Sequence, residues 1–208
     1  MIKFGSKKVI KIKKDGVGIG LVVLGDGTTA GDLKYCNWDV ASSAVADEEV
    51  HYSKSESSEQ TITKTNSSSI TVPSAIQKQL TAGKAIKVKF SVAGVVSTKV
   101  NNWSNPFSSD SNRYPGNTKA RVFVKAGTRT IYSDWIETAF PKAGLTGGET
   151  KTADIAVELA ITTLASTVTS ITYGIEMSAY RKSSSNSVNA DTYHNASINA
   201  GTINFYIN

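Results

Sequence analysis

Cysteine, histidine and long apolar runs are nearly missing from this chain. Its one cysteine, Cys36, excludes an intrachain disulfide. A chain of 208 residues can bury roughly 70% of its unfolded surface, so it needs no such staple. A single cysteine agrees with folding in a reducing compartment, and its ordinary role is that of a small buried thiol. Two histidines, His51 and His194, lie far apart in segments that read as loops, where they are expected to be exposed and inert. With no nucleophile-elbow motif beside them, a Ser/His/Asp or Cys/His site is not expected. One cysteine and two scattered histidines also give no zinc-ligand pair, so neither metal nor cofactor is expected. The longest apolar run, "GVGIGLVVLG", is far short of the ~20 residues of a membrane helix. In the opening "MIKFGSKKVIKIKKDG", lysines interrupt each apolar pair, unlike a secretory leader.

Acidic residues are missing from one place only. Residues 1–14 hold Lys3, Lys7, Lys8, Lys11, Lys13 and Lys14 and no acid. Removing those six from 23 Lys and Arg leaves 17, equal to the 17 Asp and Glu, so the net charge of +6 sits on the N-terminal arm. Three roles suit it: docking on an acidic protein surface, contact with a nucleic-acid backbone, or a solvated lysine face that keeps an edge strand from aggregating.

The periodicity present is that of strands. Ile10 and Ile12 alternate with Lys11 and Lys13, and Val17, Ile19, Leu21 and Val23 continue the period of two. Asp15-Gly16 between them marks a hairpin, because a type I′ turn needs positive φ at both central residues. "GDGTT" at 25–29 resembles the phosphate loop of chaperonin ATPases, but no apolar stripe at helical spacing follows to present a helix N-terminus to an anion. It is read as a turn. Residues 36–69, rich in Ser, Thr, Glu and Lys, read as a linker or long surface loop with one edge strand at 61–65. Further strands are predicted at 70–72, 85–93, 121–126, 130–138, 152–161, 170–181 and 196–207, with long loops at 94–118 and 181–195. "SAIQKQL" predicts one short helix between Pro73 and Ala82-Gly83. The fold class is therefore all-β, an antiparallel β-sandwich of jelly-roll or immunoglobulin-like type with an N-terminal basic β-hairpin arm. The expected division is an arm at 1–35, a linker or loop at 36–69 and the sandwich at 70–208.

Candidate chemistry is sparse. Asp47, Glu48 and Glu49 are adjacent, so their side chains diverge. Glu137, Glu158 and Glu176 alternate with apolar neighbours, which predicts solvent-facing positions and argues against a two-carboxylate hydrolase. Asp110 and Asn112 offer too few oxygens for a calcium loop. The most suggestive surface is "VNNWSNPFSSDSNRYPGN", where Trp103, Phe107, Arg113 and Tyr114 lie among amides and hydroxyls. Such a loop suits a glycan, a protein partner, or a lid that buries its own rings.

"LTAGKAIKVKFSVAG" at 80–94 is similar to the entry strand of galactose-binding-like jelly rolls, which occur in carbohydrate-binding modules and phage tail proteins. "IKFGSKKVIKIKKDG" resembles the openings of tailed-bacteriophage virion proteins, as does a composition of Ser, Thr, Asn, Ala and Gly with almost no Cys or His. That resemblance implies a non-enzymatic virion component, an auxiliary or decoration protein of the capsid. It would be assembled in the host cytoplasm in many copies, with other virion proteins of the shell or tail as partners and neither membrane nor nucleic acid among them. The alternative is a carbohydrate- or receptor-binding module of a tail or fibre tip, using the aromatic loop.

Overall fold

The computed structural model describes residues 3–4, 7–14, 17–24, 33–40, 43–51, 60–100, 116–141, 148–181 and 191–207. The first strands, β1 (Lys3–Phe4), β2 (Lys7–Lys14) and β3 (Val17–Leu24), make an antiparallel three-stranded sheet of their own. Lys14 stands opposite Val17, the register expected for a hairpin closing at positions 15 and 16.

Two five-stranded sheets follow. The first joins β4 (Leu33–Asp39), β5 (Ser43–His51), β7 (Ile86–Val100), β11 (Thr150–Ile161) and β13 (Asp191–Ile207). Its order is β11-β7-β13-β4, with β5 also on β13. The second joins β6 (Gln60–Thr71), β8 (Gly116–Ala126), β9 (Arg129–Tyr132), β10 (Ile136–Glu137) and β12 (Ser170–Arg181). Its order is β10-β8-β12-β6, with β9 also on β8. β4 and β5 run in succession along one edge of β13. Counting them as one strand, the first pairs with the last, β6 with β12, β7 with β11 and β8 with β10, all antiparallel. This nesting is a jelly roll, which separates it from the immunoglobulin-like alternative.

The region expected as linker or loop at 36–69 is largely strand: it holds the end of β4, all of β5 and most of β6. Thr and Ser suit an extended edge as well as they suit a loop, so composition could not separate the two. β7 also runs seven residues past the expected end at 93, and β13 starts five before 196. His194 is thereby a strand residue, buried at 1% exposure, against the expectation of an exposed loop histidine.

Between the sheets, Ile86, Val88, Phe90, Val92 and Val96 of β7 meet Val122 and Val124 of β8 and Ile171, Tyr173, Ile175 and Met177 of β12. The rings of Phe90 and Tyr173 touch across the layers, centroids 5.6 Å apart. Removing a fully buried ring such as Phe90 or Phe205 costs about 3–5 kcal/mol. On β13 the inward side changes phase: Thr192, His194, Ala196 and Ile198 are buried, then Ile203 and Phe205. A shift in the ladder to β7 between Ile198 and Ala200 makes the change, a bulge that keeps both halves facing the core. Gly94 lies opposite; a Cβ there would stand 1.9 Å from the Ser197 carbonyl oxygen. One end of the sandwich is closed by α1 (Ser74–Thr81), the short helix expected after Pro73, through buried Ile76 and Leu80.

Candidate functional site

The opposite end of the sandwich is polar. Thr98, Thr118, Thr138 and His194 are all buried. The Thr118 hydroxyl reaches Thr98 Oγ1 at 2.6 Å, His194 Nδ1 at 2.8 Å and the Ser97 carbonyl at 3.0 Å. Thr138 Oγ1 lies 2.8 Å from Thr98 Oγ1 and accepts the Thr118 N–H at 3.2 Å. One proton assignment satisfies every contact: Thr138 donates to Thr98, Thr98 and His194 Nδ1–H donate to Thr118, and Thr118 donates to Ser97. Thr98 and His194 belong to one sheet and Thr118 to the other, so the network ties the layers together. Enclosed as it is, it serves structure.

The outer face of the second sheet carries a different arrangement. Along β8, Lys119 and Arg121 point away from the core, because Ala120, Val122 and Val124 take the inward positions. Arg121 Nη2 donates to both carboxylate oxygens of Glu176 on β12, at 3.0 and 3.1 Å. Its guanidinium also lies against two rings, 4.0 Å from the centroid of Tyr132 and 4.6 Å from that of Trp135. Lys119 Nζ is 5.0 Å from the Trp135 ring. Contacts of this kind contribute about 0.5–1 kcal/mol each at exposed sites. The segment between the rings is pinned: Ser133 N–H donates to the Val122 carbonyl at 2.9 Å, and Val122 N–H to Ser133 Oγ at 3.0 Å. Despite these contacts Tyr132 remains 44% exposed and Trp135 37%. Nearby, Asn117 donates to the Glu137 carboxylate, and Phe140 meets Tyr180 edge-on at 6.2 Å.

The carboxylates singled out from the sequence divide between the layers. Glu158 stands on the outer face of the first sheet, bonded to Lys89 at 2.8 Å and Ser91 at 3.5 Å. The Lys89 ammonium holds its carboxyl below the ordinary glutamate range, by hydrogen bond and then by charge. Glu137 and Glu176 lie on the second sheet, so the three share no cleft. Among the described residues there is no group of three or more His, Cys, Asp and Glu side chains that could hold a metal ion. None of their helices is long and apolar enough to cross a membrane.

Lys3 falls on β1, and Lys7, Lys8, Lys11, Lys13 and Lys14 on β2. Trp103, Phe107, Arg113 and Tyr114 lie outside the described residues, as do Asp110 and Asn112. Asp47, Glu48 and Glu49 lie on β5 and Cys36 on β4. Tyr132 and Trp135 had gone unremarked in the sequence. Their signal was a pair of large rings at "IYSDWIE", where alternation alone would have put polar groups outward.

No protein-family model and no curated protein matches the chain. Among solved structures it is similar to infectious bursal disease virus, Gx strain, at 12% identity and a TM-score of 0.37, over 91% of this chain and 43% of that one. The Gt strain gives 13% identity and a TM-score of 0.28 over 94% and 48%. A VP2 subviral particle of the same virus gives 11% and 0.25 over 94% and 49%. The chain spans less than half the length of each of these structures.

Proposed function

We propose that this chain is a non-enzymatic structural component of a virus particle, of the auxiliary or decoration type found in tailed phages, which docks through its N-terminal arm. The observation behind this reading is that β1, β2 and β3 form a sheet separate from the two of the jelly roll, on a segment whose residues 1–14 hold six lysines and no acid. An appended basic sheet can complement an acidic shell or add a strand to a partner's edge, leaving the sandwich to project. Jelly rolls serve in viral shells, which suits this reading. The phage assignment leans on the style of the opening and on composition.

The test is the solution mass by light scattering of the full chain and of a variant with Lys7, Lys8, Lys11, Lys13 and Lys14 changed to Gln. Assembly of the full chain, with a folded but monomeric variant, supports the arm as the docking element. If both assemble equally, the arm has no such role. The alternative of a carbohydrate- or receptor-binding module draws its support from the exposed rings of Tyr132 and Trp135 rather than from the loop at 100–117.

A further inference from the structure

We infer that Tyr132 and Trp135 form a stacking platform for a neutral saccharide on the outer face of the second sheet. Three features of the site point there. The rings are exposed, at 44% and 37%, yet held in place by the Arg121 guanidinium and by the reciprocal Ser133–Val122 hydrogen bonds. Rigid rings bind at little cost in conformational freedom. Their π faces carry the negative end of the ring quadrupole and suit the polarised C–H groups on the flat side of a pyranose.

The charge around the rings selects among ligands. Lys119 stands opposite Glu137 and Arg121 opposite Glu176 in the strand register, and Arg121 is already held by Glu176 at 3.0 Å. A cluster so balanced exerts no net pull on a polyanion, which argues against single-stranded nucleic acid, whose platforms pair aromatic rings with a positive groove. A saccharide needs what is present: ring faces for its C–H side, and carboxylates and an ammonium for its hydroxyls. This inference does not depend on the virion reading.

The experiment titrates the full chain with four-unit oligosaccharides of β-linked glucose, β-linked N-acetylglucosamine, α-linked glucose and β-linked galactose. A sialylated trisaccharide and a single-stranded oligonucleotide serve as comparisons. Saturation-transfer NMR and tryptophan fluorescence read binding. At least one neutral oligosaccharide is expected to bind, with affinity falling about tenfold in Tyr132→Ala and in Trp135→Ala. Trp135→Phe, which keeps a ring and guards against a folding artefact, is expected to retain most of it, and Trp103→Ala all of it. The inference is overturned by any of four results. These are no response to any neutral sugar, binding confined to the sialylated or nucleic-acid probe, loss in Trp103→Ala with Trp135→Ala unaffected, or self-association abolished by Trp135→Ala.

Discussion

Thr118 accepts two hydrogen bonds and donates one inside the sandwich, where no water competes. Thr118→Val keeps the shape but strands His194 Nδ1 and the Thr98 hydroxyl, and should cost about 1–3 kcal/mol in denaturant unfolding. Thr118→Ser, which keeps the hydroxyl, should cost less than the valine change; the reverse order would show that packing rather than hydrogen bonding holds this end. On the solvent face, Lys89 favours the charged form of Glu158. Because the folded carboxyl titrates below its unfolded value, the pair's contribution is present at neutral pH and fades as pH falls through that lowered value. In Lys89→Met, NMR titration of the Glu158 side-chain carboxyl should show its midpoint moving up toward the ordinary value. No movement would assign the depression to other neighbours.

At the level of elements, β13 is the spine, pairing with β7 along nearly its whole length and with β5 and β4 on its other edge. Its bulge works only because Gly94 lets the two backbones close up. Gly94→Ala places a methyl against the Ser197 carbonyl, a backbone atom that cannot rotate aside. The expected loss is at least ~1–3 kcal/mol, the usual range for overpacking, read as a lower denaturant midpoint. A neutral result would mean that β7 and β13 part freely at the bulge. The bulge was invisible in the sequence: "NASINAGTINFYIN" offers a small, polar run at 199–202 that fits a turn, a bulge or a continuous strand. β5 and β6 were obscured for a related reason. Neither carries the apolar alternation that marks a half-buried strand, and what fixes them is pairing with β13 and β12, more than a hundred residues away.

For the whole molecule, the arm and the sandwich differ in charge, and association through the arm should answer to salt. Exposed charges are screened over a Debye length of about 10 Å at 0.1 M salt and ~3 Å at 1 M. Raising sodium chloride through that range should lower the sedimentation coefficient of any assembly that Lys7, Lys8, Lys11, Lys13 and Lys14 sustain. An assembly indifferent to salt would instead be held by apolar burial or strand addition without the lysines.

By itself the sequence determined the strand-dominated class, the first hairpin, the short helix at α1, and the confinement of excess charge to residues 1–14. Each is a local property: side-chain alternation, turn chemistry, and the count of like charges in one stretch. The tertiary structure decided which strands pair, and so the jelly roll. It turned the presumed loop histidine His194 into a buried partner of Thr118, and it gathered Arg121, Tyr132, Trp135 and Glu176 from three separate segments into one cluster. Those outcomes depend on register between residues distant in the chain, and alternation along a single strand carries no record of its neighbour.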